Sequence, residues 1–199
     1  MAQINLYYHT ELETKVPLLP EQINGDMNDT LLTNLKNQIE GKTSEHGIVL
    51  KVNNLVSYDY GLISKSNFMA TTLYNVKYKC LLCSPTKNLE FTCVLDNIVK
   101  GILVGRNGPV TVAIQFSNID SQKFKIDGDN IIDSQTNKSI KKGDHLKVSV
   151  INVKINLKET NITTICKLLS IASEKDIKKY KEDEALILGG SDNKQIEFI

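Results

Sequence analysis

Tyr74-Asn75-Val76-Lys77-Tyr78-Lys79-Cys80-Leu81-Leu82-Cys83-Ser84-Pro85 is the stretch on which the fold turns. Tyr74, Val76, Tyr78 and Cys80 fall on one side of an alternating strand and Lys77 and Lys79 on the other, the period of two that marks a sheet with one buried face. Pro85 breaks the run, and a seam between two domains is placed there. From Phe91 a long apolar strand reaches Lys100-Gly101, a second strand covers residues 102–104, Gly105 to Pro109 turns the chain, and a third strand spans 110–116. Glycine within such strands lets them bend sharply, and a small closed barrel needs bent strands.

Downstream, residues 122–126 alternate weakly and Asp127-Gly128-Asp129-Asn130 forms a turn that lacks the spacing and closing glutamate of a calcium loop. Lys138 to Lys142 is basic, and Gly143-Asp144 opens another strand. There Leu146, Val148 and Val150 share one face, whereas Ile151, Val153 and Ile155 take the other phase, the slip that a bulge produces. Residues 162–169 supply the last strand. This order is that of an all-β OB-fold barrel over 83–170. Ser173-Glu174-Lys175-Asp176 has the pattern of a capping box and opens a short helix to about Lys181, after which 171–199 ends in a polar tail.

Upstream, a short strand runs from Ile4 to His9, and Pro17 and Pro20 make a loop. A helix begins around Asp26 or Asp29 with Leu31, Leu32, Leu35 and Ile39 as its apolar stripe, and Gly41 ends it. Strands over 43–52, 55–63 and 73–82 provide the sheet it needs. The expected architecture is an α+β domain over 1–82, a helix on an antiparallel sheet, followed by the OB barrel and the C-terminal extension.

With 199 residues, 41% hydrophobic and 24% charged, the chain has the composition of a folded globular protein. No apolar run approaches the roughly 20 residues that cross a bilayer, and the first residues lack the basic start and apolar core of a signal peptide. We expect an intracellular protein with no membrane partner. Cys80 and Cys83 form a C-x-x-C, but three residues apart on a strand they point to opposite faces and no second pair follows. Buried free thiols are expected, and no metal or cofactor. Residues 1–82 hold 7 basic and 8 acidic side chains, 83–170 hold 12 and 8, and 171–199 hold 5 and 7, so a formal charge of +1 conceals a middle segment at +4. Phosphate binding belongs there.

Tyr74-Asn75-Val76-Lys77-Tyr78-Lys79, followed by Pro85, Lys87 and the Lys100-Gly101 strand, resembles the joint between the two domains of the large stalk subunit of archaeal and eukaryotic-type multisubunit RNA polymerases. Glu40-Gly41-Lys42 leading to Gly47-Ile48-Val49 is similar to that family's segment after its N-terminal helix. The likeness covers residues 31–114 well and continues in order through Leu169. It implies a non-catalytic subunit whose N-terminal domain docks by its tip on the polymerase core. It also implies a smaller helical partner subunit and an OB domain that binds nascent single-stranded RNA. Its place is with the transcription machinery, in the nucleus if cellular, in virion and host cytoplasm if encoded by a large DNA virus. At the tip the chain departs from the family: residues 61–68 keep one glycine and no proline.

On that reading the docking residues are His46, Tyr58, Tyr60, Gly61 and Phe68. The RNA-binding candidates are Lys100, Arg106, Phe116, Lys123, Phe124, Lys125, Lys147 and Lys154, since rings stack on bases and cations track phosphates. The alternative is a stand-alone OB-fold RNA-binding factor of translation or RNA processing. An enzyme finds no support: His9, His46 and His145 are scattered, and Gly105-Arg106-Asn107-Gly108 lacks the lysine and helix of a phosphate loop.

Overall fold

Strand β5 (Thr72–Cys83) lies in the middle of the first sheet, whose order is β1-β5-β3-β2. On one side it pairs with β1 (Tyr7–Leu18), from Tyr7 opposite Cys83 to Leu18 opposite Thr72. On the other it pairs with β3 (Gly47–Tyr58) and, beyond, with β4 (Leu62–Ile63), while β2 (Thr43–Ser44) closes the order beside β3. The structure, a computed structural model, describes residues 5–23, 25–63, 70–128, 130–134, 137–157 and 159–188.

Two expectations for this sheet are corrected. β1 does not stop at His9 but runs through Pro17. The carbonyls of Lys15 and Pro17 accept from Gln38 Nε2 (3.1 Å) and Asn34 Nδ2 (3.3 Å), so the backbone of these residues faces away from β5, where a proline loses no ladder donor. Residues 43–63 do not form two long strands either. β3 is continuous to Tyr58, and register shifts after Val49, Val52 and Leu55 absorb the polar Asn53-Asn54 pair.

Helix α1 (Met27–Ile39) is capped by Asp26, whose Oδ1 accepts from the Asp29 N–H at 3.4 Å, and the chain leaves it through Gly41 at φ +70°. Leu31 and Leu35 are fully buried against Val16, Leu18, Val49, Val52, Tyr74, Val76, Tyr78, Cys80 and Leu82, with Leu32 and Ile39 packed beside them. The helix therefore covers one face of the sheet and leaves Lys77 and Lys79 on the other.

The second half holds a closed barrel in the order β11-β12-β8-β7-β6, built from β6 (Glu90–Val99), β7 (Ile102–Asn107), β8 (Val110–Gln115), β11 (His145–Lys154) and β12 (Ile162–Ile171). Lys100 and Gly101, both at positive φ, make the two-residue turn that joins β6 to β7. Gly105 is not a turn, as expected, but part of β7. A Cβ there would lie 2.7 Å from the Val94 carbonyl oxygen, so only glycine lets β6 come this close. The hairpin β9 (Phe124–Asp127) and β10 (Asn130–Asp133) is inserted between β8 and β11. Helix α2 (Glu174–Ile187) is longer than expected; its Ser173–Asp176 capping box is formed as the sequence indicates, and it packs along β6.

By contacts the chain divides into one unit of Met1–Thr86 with Val153–Thr163 and another of Lys87–Asn152 with Thr164–Ile199. The tip of the β11–β12 hairpin thus groups with the first unit, where the Glu159 carbonyl accepts from the Thr43 N–H (2.8 Å) and hydroxyl (2.6 Å). Helix α2 groups with the barrel. The hairpin returns to the first unit long after the chain has left it.

Leu35→Ala should lower the unfolding free energy by about 2–5 kcal/mol in urea titrations, since it opens a cavity between α1 and the sheet. Asn37→Ala, on the exposed side of the same helix, should change it by less than about 0.5 kcal/mol.

Candidate docking and nucleic-acid surfaces

At the start of β5 the first sheet ends in exposed apolar side chains. Asp59 holds the bend after β3: its carboxylate accepts from the Asn75 N–H at 2.8 Å and from Asn75 Nδ2 at 2.5 Å, and its own N–H donates to the Asn75 carbonyl at 3.1 Å. Gly61 then presses on β5 so closely that a Cβ would collide with Thr72 Cγ2 and stand 2.6 Å from Tyr74 Cζ. That approach sets Leu62 and Ile63 opposite Leu73 and Thr72. Tyr58 meets Tyr74 edge-on, with ring centroids 6.3 Å apart. Tyr60 is 96% exposed, Leu62 67% and Ile63 61%, with Val56, Tyr58 and Leu73 also exposed.

Tyr58, Tyr60 and Gly61 are therefore brought together, and Phe68 lies outside the described residues. His46 does not join them: it sits in the β2–β3 turn, at the other end of β3. There it borders a cleft of about 260 Å3 floored by Leu12, Ile39, Val49 and Tyr78. Burial pushes the Tyr78 phenol up to about 12. Sequence reasoning missed Leu62, Ile63 and Leu73 because an apolar pair inside a supposed strand looks like core; the signal was the neighbouring Gly61.

The RNA-binding candidates scatter over the second unit and beyond. Lys100 is exposed in the β6–β7 turn, and Phe116 packs against the same turn, its N–H donating to the Gly101 carbonyl at 3.0 Å. Phe116 opens a short 3-10 turn after β8 rather than lying on that strand. Lys123 and Lys125 are exposed around β9, but Phe124 between them is only 2% exposed, so it is part of the core and no platform for bases. Arg106 lies at the far end of β7, not at the first turn, with Nε 2.5 Å from Asp96 Oδ2; this pairing keeps its guanidinium pKa above the ordinary value. Lys147 is shared between Glu90 (3.2 Å) and Asp176 (4.0 Å). Lys154 is exposed, but on the hairpin tip that groups with the first unit.

Cross-strand register shows what else faces outward. Ile102, Val104 and Arg106 of β7 stand opposite Gln115, Ala113 and Thr111 of β8, a surface without a ring. Lys167 on β12 and Lys138, Lys141 and Lys142 after the hairpin are exposed as well. The alternation of Ile162, Thr164, Cys166 and Leu168 inward could have identified Lys167.

All four cysteines are buried and none is in a disulfide. Cys80 and Cys83 do not divide into one buried and one exposed, because β5 is covered on both faces from Cys80 to Cys83. Burial pushes the Cys80 and Cys166 thiols up to about 11 and raises Cys93 further still, with Cys166 nearby adding to the effect. Since thiolate is the reactive form, the native protein at pH 8 should react with a chromogenic disulfide reagent far more slowly than free cysteine, and all four thiols should titrate at once in guanidinium.

No protein-family model matches the chain. It is 53% identical, over the full 199 residues of both chains, to a protein of Acanthamoeba polyphaga mimivirus named as a DNA-directed RNA polymerase subunit. It is 26% identical over 157 residues to DNA-directed RNA polymerase II subunit RPB7 of Glycine max, covering 77% of this chain and 88% of that one. With the corresponding subunit 7 of Arabidopsis thaliana it shares 24% over 154 residues, 76% of this chain and 86% of the relative. With a helix-backed sheet, an OB-like closed barrel and 53% identity along its full length to the mimivirus protein, the chain belongs to the RPB7-type family of DNA-directed RNA polymerase subunits.

Proposed function

We propose that this chain is the non-catalytic stalk subunit of the RNA polymerase of a large DNA virus. Its first unit docks on the core enzyme and a smaller helical subunit, and its barrel guides nascent single-stranded RNA. The observation that carries the docking reading is the sheet end at Tyr58, Tyr60, Leu62, Ile63 and Leu73. Contiguous exposed apolar side chains of this size mark interaction sites, and here the Asp59–Asn75 hydrogen bonds and the close seat of Gly61 hold them in place. A preformed patch loses little freedom on binding.

The RNA reading rests on exposed lysines around β9 and β10. Lys123, Lys125, Lys138, Lys141 and Lys142 have no carboxylate within 4.0 Å among the described residues. Binding through them is electrostatic and tolerant of sequence.

A tagged chain expressed in infected cells should copurify with polymerase core subunits, and Leu62→Asp with Ile63→Asp should abolish recovery while leaving the thermal unfolding midpoint nearly unchanged. Recovery of no polymerase subunit by the unaltered chain would remove the stalk assignment, and undiminished recovery by the double variant would remove the patch from it. Replacing Lys123, Lys125 and Lys141 by Gln should reduce the salt slope for single-stranded RNA by about 0.7 for each phosphate no longer neutralised.

A further inference from the structure

The second unit has four described aromatic rings outside its histidine: Phe91, Phe116, Phe124 and Tyr180. Phe91 and Phe124 are buried, at 8% and 2% exposure, so Phe116 and Tyr180 alone of these retain surface. Tyr180 comes from α2, not from the barrel. The capping box at Ser173 starts that helix, and Asp176 reaches Lys147 at 4.0 Å. Further along α2, the Tyr180 ring meets His145 edge-on, with centroids 5.1 Å apart. Beside the ring is an open cleft of about 420 Å3 lined by Val94, Asp96, Arg106, His145, Lys181 and Glu184.

Arg106 is prepared for a ligand in this cleft. Asp96 accepts from Nε, the inner nitrogen, and the side chain remains 66% exposed. The carboxylate fixes the plane of the guanidinium while its two terminal nitrogens stay available, the edge that grips a phosphate in bidentate fashion. Asp96 and Glu184 balance Arg106 and Lys181, so a small anion gains little there. A ligand must use ring and cations together, which a nucleotide in a chain does: the base has a π-face and the phosphate a charge. Phe116 lies beside Gly101 at the opposite end of β7, five residues back from Arg106, or about 17 Å along the chain.

We propose that the cleft between α2 and β7 is a nucleotide subsite for single-stranded RNA, with a base against the Tyr180 ring and its phosphate on Arg106 and Lys181. The subsite rests on the RNA-guiding role proposed above and adds to it a contribution from the C-terminal helix. Sequence-tolerant stacking on Tyr180 supplies the ring that the outer surface of β7 and β8 lacks, and a strand laid along β7 meets Phe116 at its other end.

The full chain is titrated against a fluorescein-labelled 12-nucleotide oligouridine in low salt, read by anisotropy, and cross-linked to the same oligomer carrying 4-thiouridine. Tyr180→Phe keeps the ring and should bind like the unaltered protein. Tyr180→Leu and Arg106→Gln should each weaken binding about tenfold, and the cross-linked peptides should include residues 174–187. Unchanged affinity in both Tyr180→Leu and Arg106→Gln, or cross-links confined to other segments, overturns the subsite and leaves the RNA role standing. Should Tyr180→Leu loosen α2, Arg106→Gln, which lies on the barrel, and the cross-link map decide the matter. Absence of binding by the unaltered chain removes the RNA role and the subsite together.

Discussion

Burial of one face of β5 is the constraint on which the first unit depends. Tyr74, Val76, Tyr78 and Cys80 lie under α1 while Leu73, Asn75 and Lys77 face the other way, and both edges of the strand are paired along most of its length. A slip of one residue would bring Lys77 and Lys79 under Leu31 and Leu35, at the cost of burying two charges without partners. Register is therefore fixed, and with it the position of Leu73 opposite Leu62. Lys79 is left to face Glu11, 3.5 Å away, across the exposed surface.

The barrel imposes a different limit. Its interior is filled by Phe91, Cys93, Leu95, Leu103, Val112, Ile114, Leu146, Val148, Val150, Cys166 and Leu168, the close packing of a small barrel, which leaves its outer surface to carry its polar chemistry. On that outside, nearby carboxylates decide which cations can act. Lys147 is neutralised from two sides and stabilises the seat of α2, whereas Arg106 is oriented by one carboxylate and keeps its outer nitrogens. Part of the excess of four positive charges over 83–170 is met from outside that segment, since Lys147 also faces Asp176 of α2, and Lys154 groups with the first unit.

Helix α2 changes the surface chemistry of its own unit. As sequence it is a polar segment with a capping box; as structure it sets Tyr180 beside His145 and Arg106 on a barrel poor in outward rings. Ser173 hydrogen bonds and the nearby Lys147 hold the Asp176 carboxyl below its ordinary pKa. Its part in seating the helix is complete above the ordinary carboxylate range and is lost as pH falls through the lowered value.

Local pattern alone specified the alternation of β5, the apolar stripe of α1, the turn at Lys100-Gly101 and the capping box of α2, because each rests on residues within a few positions of one another. The continuation of β1 through Pro17, the inclusion of Gly105 in β7 and the burial of Phe124 needed the tertiary structure. A proline's missing donor matters only if a neighbouring strand wants it, a glycine's role depends on which backbone approaches it, and a ring between two lysines is core or surface according to what packs over it. The same holds for function: the sequence carried the family likeness and the charge, but which cations are already paired, and which apolar residues end on the surface, depends on partners that only folding brings within a few ångströms.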